Sequence, residues 1–113
     1  MSKNDAALVS DMLKYARTAR SKVAPVTREE FDANDTLQFA LAYLILIVGE
    51  AASRLSQAAR AQLPDLPWTD IIGMRHRLVH GYGAVSANIV WDVATGDLDE
   101  LIASLERFSP PAS

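Results

Sequence analysis

The chain of 113 residues reads as an all-α protein, a bundle of four to five helices. Three observations carry this. Apolar residues recur at helical spacing through residues 5–23 and again through 98–108. The run Phe39–Val48 is apolar without interruption. Proline and glycine punctuate the boundaries, at Pro25, Pro64, Pro67, Gly81 and Gly83, and no stretch alternates as a strand would.

Taken in order, Leu8, Val9, Met12, Leu13, Ala16 and Ala19 fall on one face of a first helix over about 5–23, which Pro25 closes. Thr27-Arg28-Glu29-Glu30 fits a capping box for a short helical turn. Asn34 and Asp35 offer an N-cap for a long second helix running to about Ala59. Within it, Phe39–Val48 is roughly half the ~20 residues a membrane span needs, and Gln38 and Glu50 bracket it. A soluble helix that is apolar on every side must be covered on every side. The chain's own helices cover one side, and the other predicts a second copy of the chain, a homodimer. Pro67-Trp68 opens a third helix carrying Ile71, Ile72, Arg75, Leu78 and Val79, with Gly81 and Gly83 as its exit. Ser86 caps a fourth helix with Ile89, Val90, Trp91 and Val93. Gly96 interrupts it, and Asp97-Leu98-Asp99-Glu100, another capping-box pattern, restarts a last helix with Leu98, Leu101, Ile102, Leu105 and Phe108 inward. Pro110-Pro111 ends the structure. At their helical spacing among aliphatic residues, Trp68, Trp91 and Tyr43 are expected in the core rather than stacked on bases.

One domain, residues 1–113, accounts for this length, and half of the residues are apolar, enough for an ordinary core. With no cysteine there is no disulfide, no thiol nucleophile and no thiolate metal site. A net charge of −3 argues against coating nucleic acid through bulk charge, though not against a local basic site. Arg17, Arg20, Lys22 and Arg28 form a second basic stretch, either a local basic site or a solvated face, and Asp92, Asp97, Asp99 and Glu100 gather elsewhere. The polar start Met1-Ser2-Lys3-Asn4-Asp5 shows no signal-peptide pattern, so a cytoplasmic protein without a membrane role is expected.

The octapeptide Arg75-His76-Arg77-Leu78-Val79-His80-Gly81-Tyr82 is where chemistry concentrates. Guanidinium neutralises phosphate oxygens, and imidazole moves protons near neutral pH. RNA supplies its own nucleophile, the 2′-hydroxyl. A base, an acid and a cation then suffice, with no metal or other cofactor. On a straight helix Arg75 and His80 point ~140° apart with Cα atoms about 8–9 Å apart, so they do not converge unaided. Either His80 leaves the helical path near Gly81, or two copies each lend an Arg and a His to one cleft. His76 lies one helical turn from His80 and Tyr82 two turns from Arg75, so an array of Arg75, His76, His80 and Tyr82 around one groove is expected. At the last helical turn, His80 would have its imidazolium favoured by the helix dipole. Other readings stay open: an i,i+4 metal pair at His76 and His80 lacking a third ligand, or Arg75 as a structural partner of a carboxylate such as Glu50.

Arg75-x-x-x-x-His80-x-Tyr82 on the third helix of a small all-α domain resembles the HEPN superfamily and, more narrowly, the HepT-type toxins of bacteria and archaea. Gly49-Glu50-Ala51-Ala52, Leu66-Pro67-Trp68, Ile71-Ile72-Gly73-Met74-Arg75 and Val90-Trp91-Asp92 extend the likeness over about residues 8–108. The resemblance implies a dimeric up-and-down bundle with the Arg–His motifs of both copies in one cleft. It implies a metal-independent endoribonuclease, toxic to its cell, in which Arg75 stabilises the phosphate and His80 is the acid and base. It further implies an MNT-type nucleotidyltransferase as antitoxin, which transfers AMP to Tyr82. Where the family most often has asparagine after the motif arginine, this chain has His76, a supporting residue that either orients a neighbour or adds a proton-transfer group. The rival expectation is a non-catalytic subunit that binds a nucleotide or a partner enzyme.

Overall fold

The structure is a computed structural model that describes residues 2–80 and 84–108, without the side chains of Arg75, Val79, His80, Ala84 and Phe108. Helix α1 (Lys3–Val23) starts where the Ser2 hydroxyl accepts the Asp5 N–H at 3.0 Å. It buries Val9, Met12, Leu13, Ala16, Ala19 and Val23, the expected stripe, and stops before Pro25. Helix α2 (Arg28–Asp32) carries the expected capping box between Thr27 and Glu30. Helix α3 (Asp35–Arg54) begins with Asn34 Oδ1 accepting the Leu37 N–H at 3.0 Å.

The second helix ends earlier than expected. Leu55 is extended, and Ser56 caps a separate short helix, α4 (Gln57–Ala61), rather than lying inside a helix running to Ala59. Two long-range bonds explain the break. The Ser56 N–H donates to Asp5 Oδ1 at 3.0 Å, and the Ser56 hydroxyl donates to Asp5 Oδ2 at 2.7 Å. The freed Leu55 carbonyl accepts from the Arg60 guanidinium. Only 6% of Asp5 is exposed, and both carboxylate oxygens are bonded.

The same bonds fix the topology. They join the start of α1 to the end of α3, so the two helices are antiparallel. The last helix, α8 (Leu98–Phe108), pairs Glu106 with Arg17 at 3.6 Å and Asp99, its second residue, with Arg20 at 2.5 Å. Partners in reverse order make α8 antiparallel to α1 as well. This is the all-α, up-and-down bundle expected. Arg17 and Arg20 of the basic stretch thus pair with acidic residues of their own chain at an exposed surface, which favours the solvated face over a local basic site. Arg28 binds Asp32 at 2.8 Å, reaches Asn88, and lies over the Phe31 and Trp91 rings, tying α2 to helix α7 (Ala87–Asp92). Such exposed ion pairs each contribute about 0–1 kcal/mol. Each fully buried Leu, Ile, Phe or Met contributes about 1.5–3 kcal/mol. Met12, Phe31, Leu41, Ile45, Leu78, Leu98 and Leu105 therefore hold the bundle, and the ion pairs orient it.

The chain does not break at Gly96. Residues 93–97 form a π-helical segment (Val93–Asp97) that joins α7 to α8 without a stop, and no capping box restarts the helix at Asp97. The apolar pattern gives the reason. On an ideal wheel the centres of Val90, Val93 and Ala94 and of Leu98, Leu101, Ile102 and Leu105 differ by ~80°. An i→i+5 turn accommodates one extra residue, about 100° of rotation, and turns both stripes to the same core. Ser86 stands at the N-cap position of α7 without a side-chain cap bond.

Tyr43 departs from expectation. It is 64% exposed, with Phe39, one turn earlier, 56% exposed, while Leu41, Ala42, Ile45, Val48, Gly49, Ala51 and Ala52 of α3 are buried. Trp68 and Trp91 do pack against the core. Helix α3 is long and apolar enough to cross a membrane, although its apolar run alone was too short. A core helix meets the same test, and the inner side of α3 is covered by α1. The segment Pro110-Pro111 and the Phe108 side chain lie outside the described residues.

The Ser56 backbone N–H, then its hydroxyl, hold the Asp5 carboxyl below its ordinary value of 3.8. A lowered folded-state value stabilises the fold above the unfolded value, and this contribution is lost as pH falls through the folded one. Wild type should therefore melt higher than Asp5→Asn at neutral pH, with the two melting curves converging below pH 3.8. Thermal scans by circular dichroism across pH check this.

Candidate functional site

The octapeptide is not carried by one helix. Pro67 precedes helix α5 (Trp68–Ile72), and the Trp68 indole N–H donates to the carbonyls of Arg60 and Leu63 at 3.1 and 2.9 Å, fixing its start. Gly73 ends α5, its N–H bonded to the Thr69 carbonyl at 2.9 Å. A second short helix, α6 (Met74–Leu78), follows, with the His76 N–H bonded to the Gly73 carbonyl at 3.0 Å. A Cβ at position 73 would stand 3.0 Å from the Thr69 carbonyl oxygen, so glycine suits this junction.

Helix α6 ends at Leu78, not at Gly81. Val79–His80 forms strand β1, paired antiparallel with strand β2 (Ala84–Val85) in the register Val79↔Val85 and His80↔Ala84. The Ser86 N–H extends the ladder to the Leu78 carbonyl at 2.9 Å. Two β-branched residues opposite one another favour the strand, and Ser86 gives the Leu78 carbonyl a partner outside the helix. The expectation that His80 occupies a last helical turn, with the dipole acting on it, is thereby corrected.

The motif residues therefore sit on unlike backbone. Arg75 is the second residue of α6, and His80 is on β1 beyond the helix end. Helical spacing no longer relates them, nor does it relate His76 to His80 or Arg75 to Tyr82. The side chains of Arg75 and His80, and Tyr82 as a whole, lie outside the described residues. His76 and Arg77 are exposed on α6, whereas Met74 and Leu78, at its two ends, are buried. Among the described residues no three His, Cys, Asp or Glu side chains are grouped to hold a metal ion.

What holds this platform is α3. Gly49 is buried where α3 meets α5, and a Cβ there would lie 3.0 Å from the Ile71 carbonyl oxygen. Ile71, Met74 and Leu78 form the underside of α5–α6 in the common core. The sequence signal for this approach was Gly49-x-Ala51-Ala52, a cluster of small residues in a helix otherwise built of large ones.

A protein-family model described as Ribonuclease HepT-like matches residues 12–108. A "Putative RNase" of Methanocaldococcus jannaschii is 28% identical over 101 residues, 89% of this chain and 84% of its own. A "Probable ribonuclease HepT" of Thermococcus cleftensis is 28% identical over 79 residues, 70% of this chain and 72% of its own. A "Putative RNase" of Caldanaerobacter subterraneus subsp. tengcongensis is 31% identical over 80 residues, 71% of each chain. No solved structure matches the chain.

The Gly49 contact has a measurable consequence. Gly49→Ala should force α5 away from α3 and cost about 1–3 kcal/mol of stability, as overpacking a core contact does. Urea denaturation followed by tryptophan fluorescence reads the loss, because Trp68 opens the displaced helix.

Proposed function

The chain belongs to the Ribonuclease HepT-like family, and from that membership we propose that it is a metal-independent endoribonuclease using Arg75 and His80. The supporting observation is that the family match, residues 12–108, includes the whole octapeptide together with the helices that carry it. An imidazole takes the 2′-hydroxyl proton as the oxygen attacks the adjacent phosphorus. The 5′-oxygen leaves with a proton from an imidazole, and a 2′,3′-cyclic phosphate remains. The Arg75 guanidinium balances the extra charge on the phosphorane oxygens. His76, exposed beside Arg75, is a supporting group.

Two copies form the working unit in this reading. Phe39 and Tyr43 give α3 an exposed apolar face, flanked by the partly buried Leu46 and Ile47. Burying that face against a second copy would bring two Arg–His pairs to one cleft. The protein is a cytoplasmic toxin on this account. Its antitoxin is an MNT-type nucleotidyltransferase that transfers AMP to Tyr82, adding a phosphate that competes for the cleft's cations.

Arg75→Ala and His80→Ala should each lower cleavage of total RNA by about 10²–10⁴-fold, with the wild-type rate unchanged by EDTA. Cleavage by either variant at the parent rate would refute the site assignment, and loss of activity with EDTA would refute the metal-free route. Tyr43→Lys should shift the protein from dimer to monomer in light scattering. A persistent dimer would mean that copies meet on another face.

A further inference from the structure

A groove of about 550 Å³ lies between α5–α6 on one side and the π segment with α8 on the other. Its floor is apolar, including Ile71, Met74, Leu98 and Leu101. Its size falls in the ordinary range for binding pockets. Its walls are helical stripes: Asp70, Met74 and Arg77 on one, and Asp97, Leu101 and Ser104 on the other.

Charge at the rim selects the guest. Asp65, Asp70, Asp97 and Glu100 border the groove, against two cations, Arg77 and Arg107. All four carboxylates are exposed, and none is ion-paired among the described residues. The ion pairs of α8 use Asp99 and Glu106, which leaves Asp97 and Glu100 to the groove. Four carboxylates over two guanidiniums repel a polyanion, so this is not a path for RNA. An apolar trough with an acidic rim complements a segment that is apolar along one side and cationic along its flanks.

We propose that this groove docks a cationic amphipathic segment of a protein partner. Its apolar side chains lie over Met74 and Leu101, and its Lys or Arg residues stand beside Asp65, Asp70, Asp97 and Glu100. Docking places the partner against Met74 and Arg77, on the helix that carries the motif arginine. The proposal does not depend on the chain's being an active ribonuclease.

The probe is a 14-residue Leu/Lys amphipathic peptide, titrated into the full-length, isotope-labelled protein and followed by NMR and calorimetry. A Leu/Glu peptide of the same pattern and a single-stranded RNA oligonucleotide are run alongside. The Leu/Lys peptide should shift the resonances of Met74, Leu98 and Leu101. Its affinity should fall about tenfold in the Asp97→Asn/Glu100→Gln double variant and in Ala103→Trp, which fills the groove from an exposed position. Added salt should weaken it, and the Leu/Glu peptide should not bind. Shifts confined to Phe39 and Tyr43, or equal affinity for the variants, overturn the proposal. So does RNA shifting the groove resonances. RNA cleavage is measured on the same double variant. Unchanged cleavage with lost peptide binding supports separate docking, and lost cleavage assigns the groove to the RNA site instead.

Discussion

The inner side of α3 packs against α1, and the rest of the molecule is arranged around that contact. Leu41, Ile45 and Val48 give α3 a fully buried ridge, and Val9, Met12 and Ala16 give α1 another. The Asp5–Ser56 bonds then lock the two helices at one end, in antiparallel sense. Helices α5 and α6 are too short to be stable alone. They are helical because α3 supports them, and their closest approach is the one that Gly49 permits. The position of Arg75 is thus set by a residue 26 places earlier in the chain.

A change of backbone type within the motif separates its two halves mechanically. Helix α6 is held against the core by Met74 and Leu78, whereas the His80 backbone is held by the β1–β2 ladder and its link to Ser86. A five-residue spacing that would diverge on a continuous helix is therefore free of helical register.

What the sequence disclosed was local. Thr27 and Asn34 lie beside the helix starts they cap, and Pro25 lies beside the end it enforces, so those boundaries follow from neighbouring residues. The early ends at Arg54 and Leu78 were illegible because their causes are distant or follow the helix. Ser56 is held by Asp5, 51 residues away, and the Leu78 carbonyl is claimed by Ser86. Tyr43 fits an apolar run as well as its neighbours do, and only packing shows that α1 covers the opposite side. At the candidate site, Arg75, His76, His80 and Tyr82 stand out by residue type alone, while the ladder that carries His80 needs the pairing of Val79 with Val85. The groove was hidden for a similar reason: its carboxylates come from separate stretches of chain.

The π-helical segment makes the C-terminal third sensitive to length in a way it is not sensitive to composition. Its i→i+5 turn absorbs one surplus residue and so keeps the leucines of α8 in phase with Val90 and Val93. Deleting one residue between 93 and 97 would restore ordinary helical pitch and leave Leu98, Leu101 and Leu105 facing the core, whereas inserting one would swing them about a quarter-turn toward water. A polar substitution at exposed Thr95 or Gly96 leaves that phase alone. A further insertion, rather than a point change or the loss of the surplus residue, is what this stretch of the chain cannot absorb.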